Sequence, residues 1–146
     1  MVLIANSVLY IEKALVDDLI AVAESVKEEC CGFLFGNEHR EDRIVTKTMV
    51  AENVAESRAD RFEIAPMEYL NAERFADQNN LRLLGIYHSH PDHSAMPSES
   101  DRLAAYPDLS YIIIAVTNRK FKDIRSWRLN ASARFEEEPI SNQITN

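Results

Sequence analysis

The sequence lacks the features that mark several common classes of protein. Its only cysteines, Cys30 and Cys31, are adjacent, so they cannot build a disulfide framework. No segment approaches the ~20 consecutive apolar residues of a membrane-spanning helix. With 16 basic against 24 acidic residues, the formal net charge of −8 disfavours nucleic-acid backbones and anionic membranes as partners, since both reward clustered Lys and Arg. It has no Gly-rich phosphate loop, no internal repeat and no low-complexity segment.

The first residues are apolar but carry no basic leader. Glu12 and Lys13 soon interrupt the apolar run 1–5, so we expect no secretory signal. Reduced thiols and a cytoplasmic location follow as the default expectation. Neighbouring residues on a strand point to opposite faces, so we expect Cys30 and Cys31 to be buried structural thiols. A length of 146 residues suffices for one domain with a single sizeable core.

Hydrophobic periodicity predicts a mixed order of strands and helices. Apolar residues at helical spacing predict helices over 13–26, from Pro66 to about residue 79, and over 98–105. Short apolar or alternating runs predict strands over 7–11, 30–36, 44–51, 62–64, 81–87, 110–117 and 123–129. This order favours a single α/β or α+β domain in which helices cover a curved sheet. We expect residues 1–130 to form the domain and the polar segment 131–146 to be a frayed tail.

The segment from His88 to Asp101 carries the most chemical information. Side chains two apart on a strand share a face, so His88 and His90 point the same way, and Pro91 ends the strand beside them. Two imidazoles at this spacing can bind one metal ion, and Asp101 offers an oxygen ligand. Three protein ligands and an open fourth position are typical of catalytic zinc sites.

Each part of this segment also has a purely structural explanation. A histidine on an apolar strand is more often packed or capped than a ligand. Ser98, followed three residues later by Asp101, fits the capping box of a helix N-terminus, with Ser100 as an alternative cap. His39 falls in a predicted hairpin turn and has no assigned role, and His93 falls in a loop, where exposure is more common than contact with substrate.

The combination of His-x-His-Pro, six residues and then Ser-x-x-Asp resembles the signature of the JAMM (MPN-plus) zinc metallopeptidases. All five fixed residues are present. The resemblance implies a cytidine-deaminase-like, three-layer sandwich with a curved, mostly antiparallel sheet flanked by helices. It also implies that His88, His90 and Asp101 hold one zinc ion per chain and that Ser98 stabilises the reaction centre.

In that family a glutamate far upstream activates the zinc-bound water, and it precedes a Gly-containing apolar strand in the manner of Glu-x-Cys-Gly. Glu29 matches this spacing before Cys31 and Gly32. Taken alone, Glu29 is most simply part of a solvated helix end. Glu28 is one residue out of register and, on a strand, would face the other way. The resemblance therefore favours Glu29 as the acid–base residue.

The resemblance implies a zinc-dependent peptidase or isopeptidase that acts on the C-terminal tail of a ubiquitin-like (β-grasp) or sulfur-carrier protein. The short chain leaves little room for the insertions with which eukaryotic members grip ubiquitin, which favours a small, stand-alone, prokaryotic-type enzyme. Two rivals remain open: a non-catalytic MPN scaffold for protein interactions and a metal-dependent phosphoesterase. About one zinc ion per chain fits the peptidase, two or three metal ions fit the phosphoesterase, and none fits the scaffold. The oligomeric state does not follow from the sequence.

Overall fold

A computed structural model describes residues 7–143, in which three helices cover an eight-stranded sheet. The helices are α1 (Lys13–Ser25), α2 (Pro66–Gln78) and α3 (Glu99–Ala104). The strands are β1 (Leu9–Ile11), β2 (Cys31–His39), β3 (Asp42–Ala51), β4 (Arg82–Pro91), β5 (Ser110–Thr117), β6 (Lys120–Leu129), β7 (Phe135–Glu138) and β8 (Ile140–Ser141). The apolar run 1–5 lies outside the described residues. Over 7–143, no helix has the length and apolar character needed to cross a membrane.

The sheet is mixed, with more antiparallel than parallel neighbours, and its strand order is β7-β6-β5-β4-β2-β3-β1-β8. Strand β4 is parallel to β5, and β1 is parallel to both β3 and β8, whereas the other neighbouring pairs are antiparallel. Strands β7 and β8 lie at opposite ends of this order, yet only Pro139 separates them in the chain. The sheet therefore curls until its two edges meet, where the Leu9 N–H donates to the Pro139 carbonyl at 2.9 Å.

Within residues 7–143, each face of this curved sheet carries an apolar core. Helix α1 buries Leu19 and Ala23 against one face, and α2 buries Ala72 and Ala76 against the other. Each helix contributes one apolar stripe, and each stripe is covered by the inward-facing side chains of the central strands. The three-layer α+β sandwich with a curved, mostly antiparallel sheet is thus confirmed.

The two cysteines separate onto these two faces. Cys30 packs in the core under α1, and Cys31 packs in the core under α2. Both are buried free thiols, and burial raises the pKa of Cys31 to about 12. Neither thiol therefore ionises readily, as expected for structural cysteines.

The C-terminal segment departs from the sequence prediction of a frayed tail from residue 131. Strand β7 pairs with β6, and β8 pairs with β1. The physical reason is Glu138, which is 1% exposed. Its carboxylate accepts hydrogen bonds from the hydroxyls of Ser110 (2.5 Å) and Ser126 (2.8 Å) and lies 3.6 Å from the Arg128 guanidinium. These partners come from β5 and β6, so the local polar sequence does not reveal that the segment is anchored.

The predicted strand over 62–64 is wrong. This segment belongs to the irregular connection between β3 and α2, and Asn53 holds it in place. The Asn53 side chain accepts a hydrogen bond from the Glu63 N–H (3.1 Å) and donates to the carbonyls of Glu29 (3.0 Å) and Arg61 (2.9 Å). The Asn53 side chain thus makes hydrogen bonds with backbone groups that would pair with a neighbouring strand if this segment were part of the sheet.

Loss of the Glu138 carboxylate should destabilise the whole fold. We expect Glu138→Ala to lower the free energy of unfolding by about 2–4 kcal/mol, because the buried hydroxyls of Ser7, Ser110 and Ser126 and the Arg128 guanidinium all lose this acceptor. Urea denaturation followed by circular dichroism measures the change. The neighbouring Glu137, whose carboxylate pairs with Arg125 in a half-exposed setting, serves as the control, and Glu137→Ala should cost below about 1 kcal/mol. Equal effects of the two substitutions would refute the anchoring role of Glu138.

Candidate metal centre

The two histidines of the motif lie together at the end of β4. Ile86, two residues before His88, packs in the core under α2, so the period of two places His88 and His90 on that same face. Their Nε2 atoms are 3.1 Å apart. His88 is fully buried and His90 is 5% exposed. The strand spacing predicted from the sequence therefore brings both imidazoles to one point.

Asp101, in the first turn of α3, completes a compact set of ligand atoms. Its Oδ1 lies 3.3 Å from His88 Nε2, and its Oδ2 lies 3.1 Å from His90 Nε2. Two atoms that are each about 2.0–2.1 Å from one tetrahedral zinc ion lie about 3.3 Å apart. The two imidazole nitrogens, and the Asp101 carboxylate with one oxygen near each of them, therefore have separations that suit a single ion.

The hydrogen bonds around His90 give a second reason to expect a cation. His90 Nδ1 lies 2.7 Å from the Ser94 carbonyl, which can only accept a hydrogen bond, so Nδ1 carries the proton. In a neutral ring, Nε2 is then an acceptor that faces the acceptor Oδ2 of Asp101. Two facing acceptors need a proton or a metal ion between them. A backbone carbonyl that orients a histidine in this way is a usual neighbour of metal ligands.

Ser98 is the N-cap of α3, so the structural explanation of the Ser-x-x-Asp pattern is correct, and Ser100 is not the cap. The Ser98 hydroxyl accepts a hydrogen bond from the Asp101 N–H at 3.0 Å, and Asp101 Oδ2 accepts one from the Ser98 N–H at 2.8 Å. A hydroxyl has one donor and two acceptor sites. Capping occupies only an acceptor site of this exposed side chain, so the O–H can still donate to a substrate.

Glu29 reaches the same site from the neighbouring strand. Cys31 lies opposite His88 in the β2–β4 register, and the continuation of this register brings Glu29 beside His90. Glu29, His88 and His90 offer potential ligand atoms that all lie within 4.8 Å of one another. Glu29 is 5% exposed, and its Oε1 atom has no hydrogen-bond partner among residues 7–143. Glu28 instead lies on the surface, where its carboxylate pairs with Arg58 at 3.0 Å.

The two carboxyl groups near the histidines have opposite pKa shifts. Burial acts to raise the pKa of Asp101, but hydrogen bonds from His88 and His90 outweigh it and hold this pKa well below its usual range. Burial raises the pKa of Glu29 to about 8, although the charge of His90 acts to lower it. A carboxylate that is always ionised suits a metal ligand. One that can hold a proton near neutral pH suits acid–base chemistry.

Phe62 and Trp127 frame this site, whereas His93 and His39 are exposed. The Phe62 ring stacks on the His88 ring, with centroids 4.4 Å apart, and the sequence offers no signal for this contact because Phe62 lies in an irregular loop. The Trp127 Nε1–H donates to the Ala95 carbonyl at 3.0 Å and holds the loop that follows β4. His93 is exposed, with its ring centroid 6.5 Å from that of His90. His39 is exposed in the β2–β3 hairpin.

The raised pKa of Glu29 should make the stability of the metal-free protein depend on pH. The folded state keeps the Glu29 proton up to about pH 8, whereas the unfolded chain releases it near pH 4.5. This contribution to stability is therefore complete below about pH 4.5 and is lost as the pH rises towards 8. Relative to Glu29→Gln, the chelator-treated wild type should lose about 2–4 kcal/mol of unfolding free energy across this window. Urea titrations at several pH values test this, and a constant difference would contradict it. Glu28→Gln should retain the wild-type profile.

Comparison with known proteins gives consistent matches. A family model for prokaryotic homologs of the JAB domain matches residues 12–130. The desampylase of Pyrococcus furiosus is 33% identical over 124 residues, which cover 84% of this chain and 81% of that protein. The CysO-cysteine peptidase of Mycobacterium tuberculosis is 30% identical over 138 residues, which cover 92% of this chain and 90% of that protein.

Solved structures extend the similarity to three dimensions. The solution structure of a Desulfitobacterium hafniense protein has a TM-score of 0.79 and 31% identity, covering 92% of this chain and 91% of that one. A Salinibacter ruber protein has a TM-score of 0.70 and 30% identity, covering 90% of this chain and 89% of that one. The candidate metal centre, from Glu29 to Asp101, lies wholly inside the segment that the family model matches.

Proposed function

Since this chain belongs to the JAMM family, among the prokaryotic homologues of the JAB domain, we propose that it is a zinc-dependent peptidase or isopeptidase. The proposed reaction is hydrolysis of an amide bond at the C-terminal tail of a ubiquitin-like or sulfur-carrier protein. The observation that carries the proposal is the set of His88, His90 and Asp101 ligand atoms, 3.1–3.3 Å apart, beside the buried carboxyl of Glu29. Relatives named as a desampylase and a CysO-cysteine peptidase support this substrate class.

In this proposal His88, His90 and Asp101 hold one zinc ion per chain. Bound zinc would supply a Lewis acid that polarises the scissile carbonyl and lowers the pKa of water to about 7. The protein contributes the orientation of the ligands. The Ser94 carbonyl fixes the His90 ring, and the capping box of α3 fixes the Asp101 carboxylate.

Glu29 is proposed as the residue that moves the proton. Its carboxylate accepts a proton from the attacking water and returns it to the departing nitrogen, because amide cleavage needs both a base and an acid. Burial favours the protonated form that the same group takes up between the two steps, and the charge of a bound cation would favour the ionised form that first accepts the proton. The Oε1 atom has no partner within residues 7–143, so it can accept a hydrogen bond from the water.

Ser98 is proposed to donate a hydrogen bond to the oxygen that becomes negative as the amide is attacked. We expect Ser98→Ala to lower kcat by about 10–10³-fold and, through loss of the cap, to lower the unfolding free energy by about 1 kcal/mol. Metal content should not change, because Ser98 is not a ligand in this proposal. Steady-state kinetics and thermal melts measure both effects. Ser100→Ala changes an exposed residue of the same helix turn, so it should lower neither kcat nor the unfolding free energy. An unchanged kcat in Ser98→Ala would exclude the oxyanion role of Ser98.

The direct test incubates zinc-loaded protein with ubiquitin-like carriers that bear C-terminal extensions and follows the product masses. We expect release of the extension, loss of activity with a chelator and recovery with zinc. Metal analysis should give about one ion per chain. Two or three ions would favour the phosphoesterase alternative, although both remaining histidines, His39 and His93, are exposed. A protein without metal affinity or turnover would fit the scaffold.

A further inference from the structure

The two histidines of the metal centre are held in different ways. His90 Nδ1 donates to the Ser94 carbonyl at 2.7 Å, so a hydrogen bond fixes the rotation of the His90 ring. His88 has no such bond, because its buried Nδ1 atom has no hydrogen-bond partner among residues 7–143. A hydrogen bond from the second ring nitrogen is the usual means of orienting a histidine that binds a metal. The orientation of the His88 ring must therefore come from packing.

The packing partner of His88 is Phe62. The two rings lie nearly parallel, with an interplanar angle of 25° and centroids 4.4 Å apart. Stacked aromatic rings attract each other through their faces, and a tilt of one ring loses part of this contact. The stack thus fixes the plane of the His88 ring. The contact of His88 Nε2 with Asp101 Oδ1, at 3.3 Å, fixes which edge of the ring faces the centre.

Phe62 is itself held in place by Asn53, whose side chain bonds to the backbone on both sides of it. Asn53 Oδ1 accepts a hydrogen bond from the Glu63 N–H at 3.1 Å, and Asn53 Nδ2 donates to the Arg61 carbonyl at 2.9 Å. The Phe62 side chain is half-buried and packs against the core under α2. A ring that is fixed by its own backbone and by the core can in turn fix the ring that it covers.

The same loop also contacts the backbone of Glu29. The Glu29 carbonyl accepts a hydrogen bond from Asn53 Nδ2 at 3.0 Å, and the Glu29 N–H donates to the Arg58 carbonyl at 2.9 Å. The irregular connection between β3 and α2 therefore touches both the proposed acid–base residue and a proposed metal ligand. This position makes the loop part of the framework that shapes the site.

We propose that Phe62 is a positioning residue for the metal centre, which keeps the His88 ring in the plane that metal binding requires. The inference rests on the proposed function, because it takes His88 as a ligand of the metal ion. Phe62 offers neither a ligand atom nor a proton, so its effect passes through the His88 ring. Its loss acts first on the affinity for the metal and reaches turnover only as a consequence.

Substitution of Phe62 tests this role through metal affinity. Phe62→Leu removes the flat face of the side chain but keeps its apolar character, and we expect it to bind Zn²⁺ about 10–100-fold more weakly than the wild type. Phe62→Tyr retains the ring and should stay within about threefold of the wild type. Competition with a chromophoric chelator measures both affinities without a substrate. Wild-type affinity in Phe62→Leu, or equal losses in the two variants, would overturn the proposal.

Phe75 is the matched control for a general loss of packing. It is a half-buried aromatic residue that packs against the same core, where its ring lies on that of Phe35 with centroids 5.0 Å apart. Both Phe75→Leu and Phe62→Leu should lower the melting temperature of the protein, because each loses apolar contacts. Only Phe62→Leu should weaken Zn²⁺ binding, whereas Phe75→Leu should stay within about twofold of the wild type. An equal loss of affinity in Phe75→Leu would overturn the positioning role.

Cobalt substitution reports the geometry of the ligands directly, because the visible absorption bands of Co²⁺ depend on the arrangement of the atoms that bind it. These bands should shift in Phe62→Leu. They should keep their wild-type positions in Phe62→Tyr and in Phe75→Leu. Unchanged bands in Phe62→Leu would show that the His88 ring does not depend on Phe62, and the proposal would fail.

The measurements with Zn²⁺ alone also separate this inference from the proposed function. If no carrier is cleaved but Zn²⁺ affinity depends on the Phe62 ring as expected, the proposed hydrolysis fails and the positioning role stands. If carriers are cleaved but Phe62→Leu binds Zn²⁺ as the wild type does, the positioning role alone fails. A wild-type protein that binds no Zn²⁺ would overturn both.

Discussion

Zinc-loaded Glu29→Gln is expected to keep its metal and to lose about 10²–10⁴-fold in kcat. Glutamine preserves the size of the buried side chain, but it cannot take up or return a proton. The environment of Glu29 explains why no other group should replace it. The side chain is 5% exposed. One of its carboxylate oxygens lies within 4.8 Å of a ring nitrogen of His88 and of a ring nitrogen of His90. Single-turnover assays and metal analysis of the same sample measure both quantities.

The neighbouring Glu28 provides the matched control for this substitution. Glu28→Gln changes the same chemical group one residue earlier, where the side chain pairs with Arg58 on the surface, so it should leave activity within about twofold of wild type. Full activity in Glu29→Gln would remove Glu29 from the mechanism. Loss of the metal in Glu29→Gln would instead make Glu29 a ligand, a result that its distance to the two histidines permits.

The second large effect is expected at Asp101. Asp101→Asn should weaken zinc binding by at least about 100-fold, because loss of a direct ligand exceeds the 10–100-fold cost of losing an outer contact, and activity should fall with metal content. Asparagine keeps an oxygen that can accept the Ser98 N–H, so the start of α3 should survive. Competition with a chromophoric chelator measures affinity, and far-ultraviolet circular dichroism checks the fold.

Glu99 is the control for Asp101, since it lies in the same helical turn but is exposed and pairs with Arg102. Glu99→Gln should retain wild-type zinc affinity. If Asp101→Asn also binds zinc normally, the carboxylate ligand must be sought at Glu29, and the proposed roles of the two residues would be exchanged. The substitutions at Glu29 and Asp101 therefore decide together which carboxylate binds and which transfers protons.

Much of the site was predictable because it rests on local backbone geometry. The meeting of His88 and His90 follows from the period of two along a strand, and the approach of Ser98 to Asp101 follows from the capping box. The separation of Cys30 and Cys31 onto two faces has the same origin. The family resemblance was needed to select Glu29 over Glu28, because both fit the end of a solvated helix when the strand pairing is unknown.

Other features depend on contacts between distant segments and had no local signal. The polar segment after residue 130 gives no indication that Glu138 is buried among Ser110, Ser126 and Arg128. The segment 62–64 has strand-like composition, yet the Asn53 side chain satisfies its backbone and leaves it irregular. The stacking of Phe62 on His88 follows from that irregular path.

The sequence by itself determined the order of the helices and of strands β1 to β6, apart from the wrong strand over 62–64. It also determined the His-x-His-Pro and Ser-x-x-Asp geometry, since strand alternation and helix capping act over a few residues. Only the tertiary structure decided that the sheet curls until β7 and β8 meet at Pro139, that the Glu29 carboxyl is buried beside His90, and that Phe62 stacks on His88. Strand pairing and burial depend on how all the apolar faces pack at once. No short stretch of residues contains that information.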